Sequence, residues 1–239
     1  MQDLSGQKVV VIGGTSGIGL ATAINAAELG AQVWAVGRST ENIEKARSIA
    51  GDSLHYAQLD VHNIEDFEAL FQQTGKIDHL VAAATGANRT MKPFMEQSAE
   101  QFAEAFNKFW GYTHVVRQGV PHLNQQASIT LVSGTPARKC NPGMSSVSCV
   151  GNAVEGLGRA LAMELAPIRV NVVAPGIIST GMFDWMGEKK EEILGSMTQQ
   201  IPLARAGQPW EVANAIIFFM TTPYTTGTCV DVDGGQLLP

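Results

Sequence analysis

Short runs of β-branched residues alternate with longer amphipathic stretches along almost the whole chain. The first run, KVVVI at residues 8–12, has no polar alternation, which is typical of a strand buried on both faces. Such alternation predicts right-handed βαβ units and a parallel sheet covered by helices on both sides. The other expected strands span residues 32–36, 54–59, 79–83, 128–132, 169–173 and 229–232, and the expected helices include 20–29, 64–72, 99–120, 146–165 and 210–220.

The composition and charge argue against several classes of binding partner, among them nucleic acids and membranes. The chain has 239 residues and a formal net charge of −6, without the basic cluster that nucleic-acid binding requires. Its longest apolar run, about residues 215–220, is far shorter than the ~20 residues of a membrane span. The first six residues lack the pattern of a signal peptide. Three scattered cysteines form no CxxC pair, so we expect neither a metal site nor a disulfide framework.

We find no repeat, low-complexity segment or linker that would divide the chain. These observations predict one domain over residues 1–239, in a reduced, cytoplasmic protein that binds something small.

A glycine-rich turn follows the first expected strand and opens the first expected helix. It reads Gly13-Gly14-Thr15-Ser16-Gly17-Ile18-Gly19. Glycines let the backbone approach a pyrophosphate closely, and the amide groups at the start of the next helix hold the anion. In this strand–turn–helix context the turn predicts dinucleotide binding.

The spacing Gly-x-x-x-Gly-x-Gly resembles the short-chain dehydrogenase/reductase family, and later segments match that family in the same order. They are Asp60-Val61, Arg169-Val170-Asn171, Ala174-Pro175-Gly176 with Thr180, Arg205-Ala206-Gly207, and Asp231-Val232-Asp233-Gly234-Gly235. The resemblance covers essentially the whole chain. It implies a single-domain, Rossmann-type α/β fold, with a doubly wound, seven-stranded parallel sheet, and a homodimer or homotetramer. The residues it assigns to the cofactor are Gly13, Thr15, Ser16, Gly17, Ile18, Gly19, Arg38, Ser39, Asp60, Val61, Ala84, Pro175, Gly176, Ile178 and Thr180.

The end of the second strand bears on the choice of cofactor. An acid there would hydrogen-bond the ribose 2′-hydroxyl and repel a 2′-phosphate. The chain instead has Arg38 followed by Ser39, and a guanidinium suits phosphate. We therefore expect NADP(H) rather than NAD(H). Against this, Ser16 stands where NADP-using relatives often carry a basic residue.

The chain departs from the resembled family at the groups that transfer protons. The family uses a serine and a Tyr-x-x-x-Lys pair, in which the ammonium lowers the pKa of the phenol. Aligned through the segments on either side, those positions fall on Gly134, Val147 and Gly151. Valine carries no proton to donate and glycine carries no charge, so the ordinary family mechanism is not expected.

Two residues are candidates to replace those groups. Lys108 stands where the family keeps an asparagine, and it would supply positive charge near the cofactor. Ser133 ends the fifth expected strand and could hydrogen-bond a substrate oxygen, or could point into the sheet instead. Lys108 lies off the apolar stripe that we expect to face the core. That stripe comprises Phe102, Phe106, Phe109, Thr113, Val116 and Val120.

Residues 181–208 occupy the place of the family's substrate lid. Their methionine and aromatic content predicts a small, apolar substrate, or alternatively packing against the body or a second subunit. We expect an NADP(H)-dependent oxidoreductase with a rebuilt proton-transfer site, acting on a carbonyl or an activated alkene. The alternatives are a catalytically silent NADP-binding protein and, less favoured, a non-redox isomerase or lyase.

Overall fold

A computed structural model describes residues 3–85 and 90–239 of the chain. Its centre is a seven-stranded sheet in which all neighbouring strands are parallel, with the order β3-β2-β1-β4-β5-β6-β7. The predicted doubly wound α/β fold is therefore confirmed. The strands are β1 (Lys8–Ile12), β2 (Gln32–Gly37), β3 (His55–Gln58), β4 (Ile77–Ala82), β5 (Leu123–Val132), β6 (Arg169–Pro175) and β7 (Cys229–Val232).

Helices cover both faces of this sheet. They are α1 (Gly17–Glu28), α2 (Thr40–Ala50), α3 (Ile64–Thr74), α4 (Ala99–Ala105), α5 (Asn107–Gly119), α6 (Ser145–Glu164), α7 (Lys190–Thr198) and α8 (Pro209–Thr221). One apolar cluster joins the sheet to α3, α5 and α6, and a second joins it to α1, α2 and α8. Residues that the sequence marks as continuous apolar runs, such as Val9, Val10 and Val11, are fully buried between the two clusters.

The single helix expected over residues 99–120 is two helices. Phe106 separates α4 from α5, with a ψ of −8° that falls short of the helical value. No residue of α4 is buried, whereas α5 buries Gly111, Tyr112, Val115, Val116 and Gly119. The expected apolar stripe is thus wrong at its start, because Phe102 and Phe106 are only partly buried, whereas Phe109 packs against the first cluster and Val116 is buried.

Two further properties concern the described residues alone. No helix within residues 3–85 and 90–239 is long and apolar enough to cross a membrane. Over the same ranges, no three His, Cys, Asp or Glu side chains are grouped as a metal ion would need.

Candidate functional site

The loop after β1 requires its glycines. Gly13 and Gly17 have φ values of 85° and 50°, in the left-handed region that side chains disfavour. A Cβ built on Gly19 would lie 2.0 Å from the carbonyl oxygen of Gly13, so no larger residue fits there without moving the loop. The predicted phosphate-binding turn is therefore packed closely against itself.

The start of α1 offers donors to an anion. Ser16 is the N-cap with an extended backbone, its side chain makes no capping hydrogen bond, and the first turn contains no acidic residue. The first amide groups of a helix have no partner within it, and they lie at the positive end of its dipole. Ile18, next in the turn, packs against the cluster on the α1 side of the sheet. This arrangement fits a phosphate group.

Loops from two other strands close around this turn. A Cβ on Gly13 would be 2.5 Å from the amide nitrogen of Ala84, which follows β4. A Cβ added to Gly17 would be 3.3 Å from Cγ2 of Thr180, which follows β6. The loops after β1, β4 and β6 therefore meet at the carboxyl edge of the sheet, where parallel sheets bind their ligands.

The loop after β6 is fixed by the C-terminal part of the chain. Pro175 ends the strand, and the amide of Gly176 donates to the carbonyl of Val232 over 3.0 Å. Ile178 is buried and forms a parallel bridge with Gly207. This segment carries the cofactor residues expected beside Thr180.

The end of β2 lies beside the loop after β3. Arg38 has a side chain that is 67% exposed, and its guanidinium lies 4.0 Å from the carboxylate of Asp60. The hydroxyl of Ser39 accepts from the amide of Asn42 and caps α2. Thr15 packs over Gly37, where an added Cβ would lie 2.2 Å from the threonine hydroxyl. Val61 similarly packs on Gly111 of α5.

Lys108 reaches the end of β5 from α5. Its ammonium donates to the backbone carbonyl of Ser133 over 3.3 Å and lies 5.4 Å from the centre of the Tyr112 ring. That ring is buried, and its hydroxyl donates to the carbonyl of Val132. Residues 108 and 112 are one helical turn apart, so Lys108 is in line with the buried face of α5. The expectation that it lies well away from that face is wrong.

The hydroxyl of Ser133 points at α6. It lies 3.1 Å from the carbonyl oxygen of Gly151 and 3.3 Å from Oε1 of Glu155, and the residue is buried. This differs from the expected hydrogen bond to a substrate, because the side chain already has partners on the helix. Ser133 meets Lys108 through its backbone carbonyl instead.

The position of Gly151 is closed by the turn that follows β5. A Cβ on Gly151 would lie 2.9 Å from Cβ of Ala137, and the side-chain amide of Asn152 donates to the carbonyl of Ala137. Gly134, at the start of that turn, lies near the loop after β6, since its Cβ would be 3.8 Å from the carbonyl oxygen of Pro175. A side chain at position 151 would therefore displace the turn.

Residues 181–208 follow Thr180 directly in the chain. Gly181–Lys189 forms a short 3-10 segment with a kink at Gly187, and α7 follows. Lys190 holds this segment in place, because its ammonium donates hydrogen bonds to the carbonyl of Thr180 and to the carboxylate of Asp184. Trp185 is 78% exposed and Met182 is 45% exposed. Apolar side chains thus stand in solvent next to the predicted cofactor residues.

Comparison with known proteins agrees with this architecture. A family model described as enoyl-(acyl carrier protein) reductase matches residues 12–236. The chain belongs to the short-chain dehydrogenase/reductase family. A curated family relative, the short-chain dehydrogenase/reductase ATR9 of Stachybotrys chlorohalonatus, is 33% identical over 256 residues and is matched along 100% of both chains.

Two solved structures of this family extend the likeness to three dimensions. A short-chain oxidoreductase from Pseudomonas aeruginosa PAO1 is described as NADPH-bound and as containing an atypical catalytic center. It superposes with a TM-score of 0.90 at 32% identity, over 99% of this chain and 98% of that one. The MalC reductase/Diels-Alderase of Malbranchea aurantiaca gives 0.89 at 29% identity, with coverage of 99% and 98%.

An ion pair that the sequence did not predict lies behind Ser133. Glu155 on α6 lies 3.3 Å from Nε of Arg138, and its side chain is only 7% exposed. The signal was present, because Glu155 follows Gly151 by one turn on a helix face that also carries the small residues Gly158 and Ala162. An acid on such a face needs a partner.

Proposed function

We propose that this chain is an NADP(H)-dependent oxidoreductase in which Lys108 supplies the positive charge of the active site. The observation that carries the proposal is the contact between the Lys108 ammonium and the Ser133 carbonyl. It puts a lysine at the end of β5, on the edge of the sheet where the glycine turn and Thr180 also meet. Open parallel sheets bind their ligands at this edge.

The residues present fit a dinucleotide. The glycine turn leaves the amide groups of α1 open to a pyrophosphate, and its first helical turn has no acid to repel one. We assign the 2′-phosphate of NADP(H) to Arg38, whose exposed guanidinium is at the end of β2. Asp60, 4.0 Å away, would hold the arginine in place while the phosphate binds its outer side. The NADPH-bound relative from P. aeruginosa is consistent with this choice.

We further propose that the site works without the family's serine, tyrosine and lysine. Val147 and Gly151 carry no proton donor or charge, and the turn through Ala137 occupies the space beside Gly151. The description of the P. aeruginosa relative as having an atypical catalytic center supports the idea that this fold tolerates such a change.

The bound cofactor would supply the hydride. When a carbonyl or activated alkene accepts it at carbon, the electron pair of the π bond moves toward the substrate oxygen. Lys108 would stabilise the negative charge that develops there and would give up a proton to it, which water then replaces. Ser133 would hold the ammonium through its backbone carbonyl and would not touch the substrate.

A small, apolar substrate is favoured by the surroundings. Met182 and Trp185 of the segment after Thr180 are exposed, and Met95 is 89% exposed on the loop before α4. The segment that carries Met95 also lines, together with Phe102, an open surface groove of about 460 Å³. Methionine and aromatic side chains adapt to apolar ligands of irregular shape. We infer that residues 181–208 form the lid over such a substrate.

One observation favours a different function, that of an NADP-binding protein without catalysis. The hydroxyl of Ser133 is engaged by α6, so Lys108 would be the only ionisable group of our assignment that acts on a substrate. In that case the chain would bind the cofactor and serve as a sensor or partner subunit.

NADPH oxidation by the wild type and by Lys108→Met, measured by absorbance with ketones, quinones and enones, separates the two functions. An oxidoreductase should lose roughly 10²–10⁴-fold in turnover on substitution, with NADPH affinity unchanged. Lys45→Met, which alters an exposed lysine paired with Glu41 on α2, is the matched control. Equal turnover in Lys108→Met and wild type would remove Lys108 from the mechanism, and tight NADPH binding without oxidation would favour the silent binding protein.

A further inference from the structure

Glu155 is a buried acid directly behind the proposed active site. It is 5% exposed on α6, one helical turn after Gly151, and its Oε1 lies 3.3 Å from the Ser133 hydroxyl. An unpaired carboxylate at such depth is strongly unfavourable. Arg138 provides the partner, with Nε 3.3 Å from the same oxygen.

The pair is part of a longer chain of contacts. Arg138 also donates from Nη1 to Asp231 on β7 over 2.9 Å. The ion pair between Arg138 and Glu155 therefore links the turn after β5 to α6. The hydrogen bond from Arg138 to Asp231 links the same turn to β7. The turn includes Ala137, which closes the space beside Gly151.

Ser133 connects this network to Lys108. Its hydroxyl faces Glu155 and Gly151, and its carbonyl on the other side accepts from the Lys108 ammonium. The residue is also held in the sheet, since its amide donates to Val173 over 2.8 Å. The hydroxyl and the carbonyl belong to one residue, so the contacts of the hydroxyl with α6 help to hold in place the carbonyl that Lys108 contacts.

We propose that Glu155 is a positioning residue for Lys108 and acts through Ser133. The inference rests on the proposed function of Lys108. In it, the carboxylate of Glu155 on α6 orients the ammonium of Lys108. The carboxylate shares the serine hydroxyl with the Gly151 carbonyl. Glu155 thereby fixes the carbonyl to which the ammonium is anchored.

The direct test is NMR of the protein without cofactor, with ¹⁵N-labelled lysine. The Lys108 ammonium resonance is assigned by its loss in Lys108→Met. It should shift in Glu155→Gln and in Ser133→Ala, and it should stay in place in Glu164→Gln, which alters an exposed acid at the end of the same helix. Ser133→Ala keeps the Glu155–Arg138 pair, so it tests the link even if Glu155→Gln does not fold. An unchanged Lys108 resonance in Ser133→Ala would overturn the proposal.

A double-mutant cycle on turnover, with 9,10-phenanthrenequinone and 2-cyclohexenone as probes, tests the consequence. Glu155→Gln removes the negative charge and weakens the hydrogen bond from the Ser133 hydroxyl, so it should lower turnover by roughly 2–10-fold. It should have no further effect in Lys108→Met, and NADPH affinity should stay unchanged. Equal losses in both backgrounds would contradict a role through Lys108. If Lys108→Met alone has no effect, the proposed function fails, and the NMR shift still decides whether Glu155 positions the lysine.

Discussion

The ammonium of Lys108 and the backbone carbonyl of Ser133 join α5 to the end of β5 across 3.3 Å. Lys108 is therefore anchored at the edge of the sheet and not simply solvated on a helix surface. The anchor is a backbone atom of the residue that follows β5, a strand paired on both sides by β4 and β6. Such a support holds a charged group in place with little freedom, which is what electrostatic catalysis needs.

Arg38→Asp should change the choice of cofactor. If the guanidinium binds the 2′-phosphate, charge-assisted hydrogen bonds are lost and repulsion is added, so NADPH affinity should fall by roughly 10–100-fold. NADH affinity should be maintained, since it has no phosphate there. Fluorescence titration of both cofactors measures this, and Arg47→Asp on the exposed side of α2 is the control. An equal loss for NADH and NADPH would show that Arg38 does not select the phosphate.

Gly19→Ala should damage the cofactor site. The added Cβ would lie 2.0 Å from the Gly13 carbonyl oxygen, so the turn must open. We expect a loss of about 1–3 kcal/mol in the free energy of unfolding, typical of overpacking, and loss of NADPH binding. Gly195→Ala is the matched control, because a Cβ there meets no atom within 4 Å and alanine favours a helix. Thermal unfolding and NADPH titration would check both, and unchanged binding in Gly19→Ala would contradict the assignment.

Gly151→Ala should destabilise the protein even though alanine is the better helix former. Its Cβ would lie 2.9 Å from that of Ala137, and the expected cost is about 1–3 kcal/mol. On the same helix, Gly156→Ala meets only the flexible end of Arg159 and should be neutral or stabilising. Denaturant titrations compare the two. Combining Gly151→Ala with Ala137→Gly should recover part of the loss, since the closest of the contacts, that with the Ala137 Cβ, is removed. No recovery at all would mean that the turn is not what fills the space.

His79 should make stability depend on pH. Burial lowers the pKa of His79 to about 4 from 6.5, and the ring lies 2.8 Å from the Ser128 hydroxyl. Below pH 6.5 the unfolded chain binds the proton more readily, so stability present above that pH is lost as the pH falls toward 4. The loss attributable to this residue is about 2 kcal/mol between about pH 8 and about pH 5.

Denaturant titration at the two pH values, for wild type and His79→Gln, isolates that contribution. The difference in stability between the two proteins should shrink at the lower pH. His55→Gln, an exposed histidine on β3, serves as the control. A constant difference across this range would exclude His79 as the source.

The fold could be predicted well because its signal is local. The strands β1 and β7 have the expected bounds, since each is a short run between turn residues. β5 begins five residues earlier than expected, at Leu123, because the polar stretch Asn124-Gln125-Gln126 interrupts the hydrophobic pattern. Pairing with β4 nevertheless begins at Ile77 and Leu123, with an irregularity before His79. Pairing between strands overrides hydropathy there.

The candidate site was less predictable, because it depends on which side of a helix faces the sheet. The predicted stripe runs through Phe109, Thr113 and Val116, whereas the buried face of α5 also includes Tyr112 and Val115. Lys108 lies one helical turn before Tyr112, in line with that face. The small-residue face of α6 marks Glu155 as an acid that needs a partner, but the sequence does not identify Arg138, because the two meet only when the turn after β5 folds onto α6.

The most direct measurement is transfer of deuterium from the cofactor to a substrate. The purified protein is incubated with (4S)- or (4R)-[4-²H]NADPH and a broad panel of ketones, quinones and enones, and the products are analysed by mass spectrometry. We predict deuterium in one product from one of the two labelled cofactors, with much less in Lys108→Met. Unlabelled products from both cofactors, or none at all despite tight NADPH binding, would contradict an oxidoreductase and leave the chain as a binding protein.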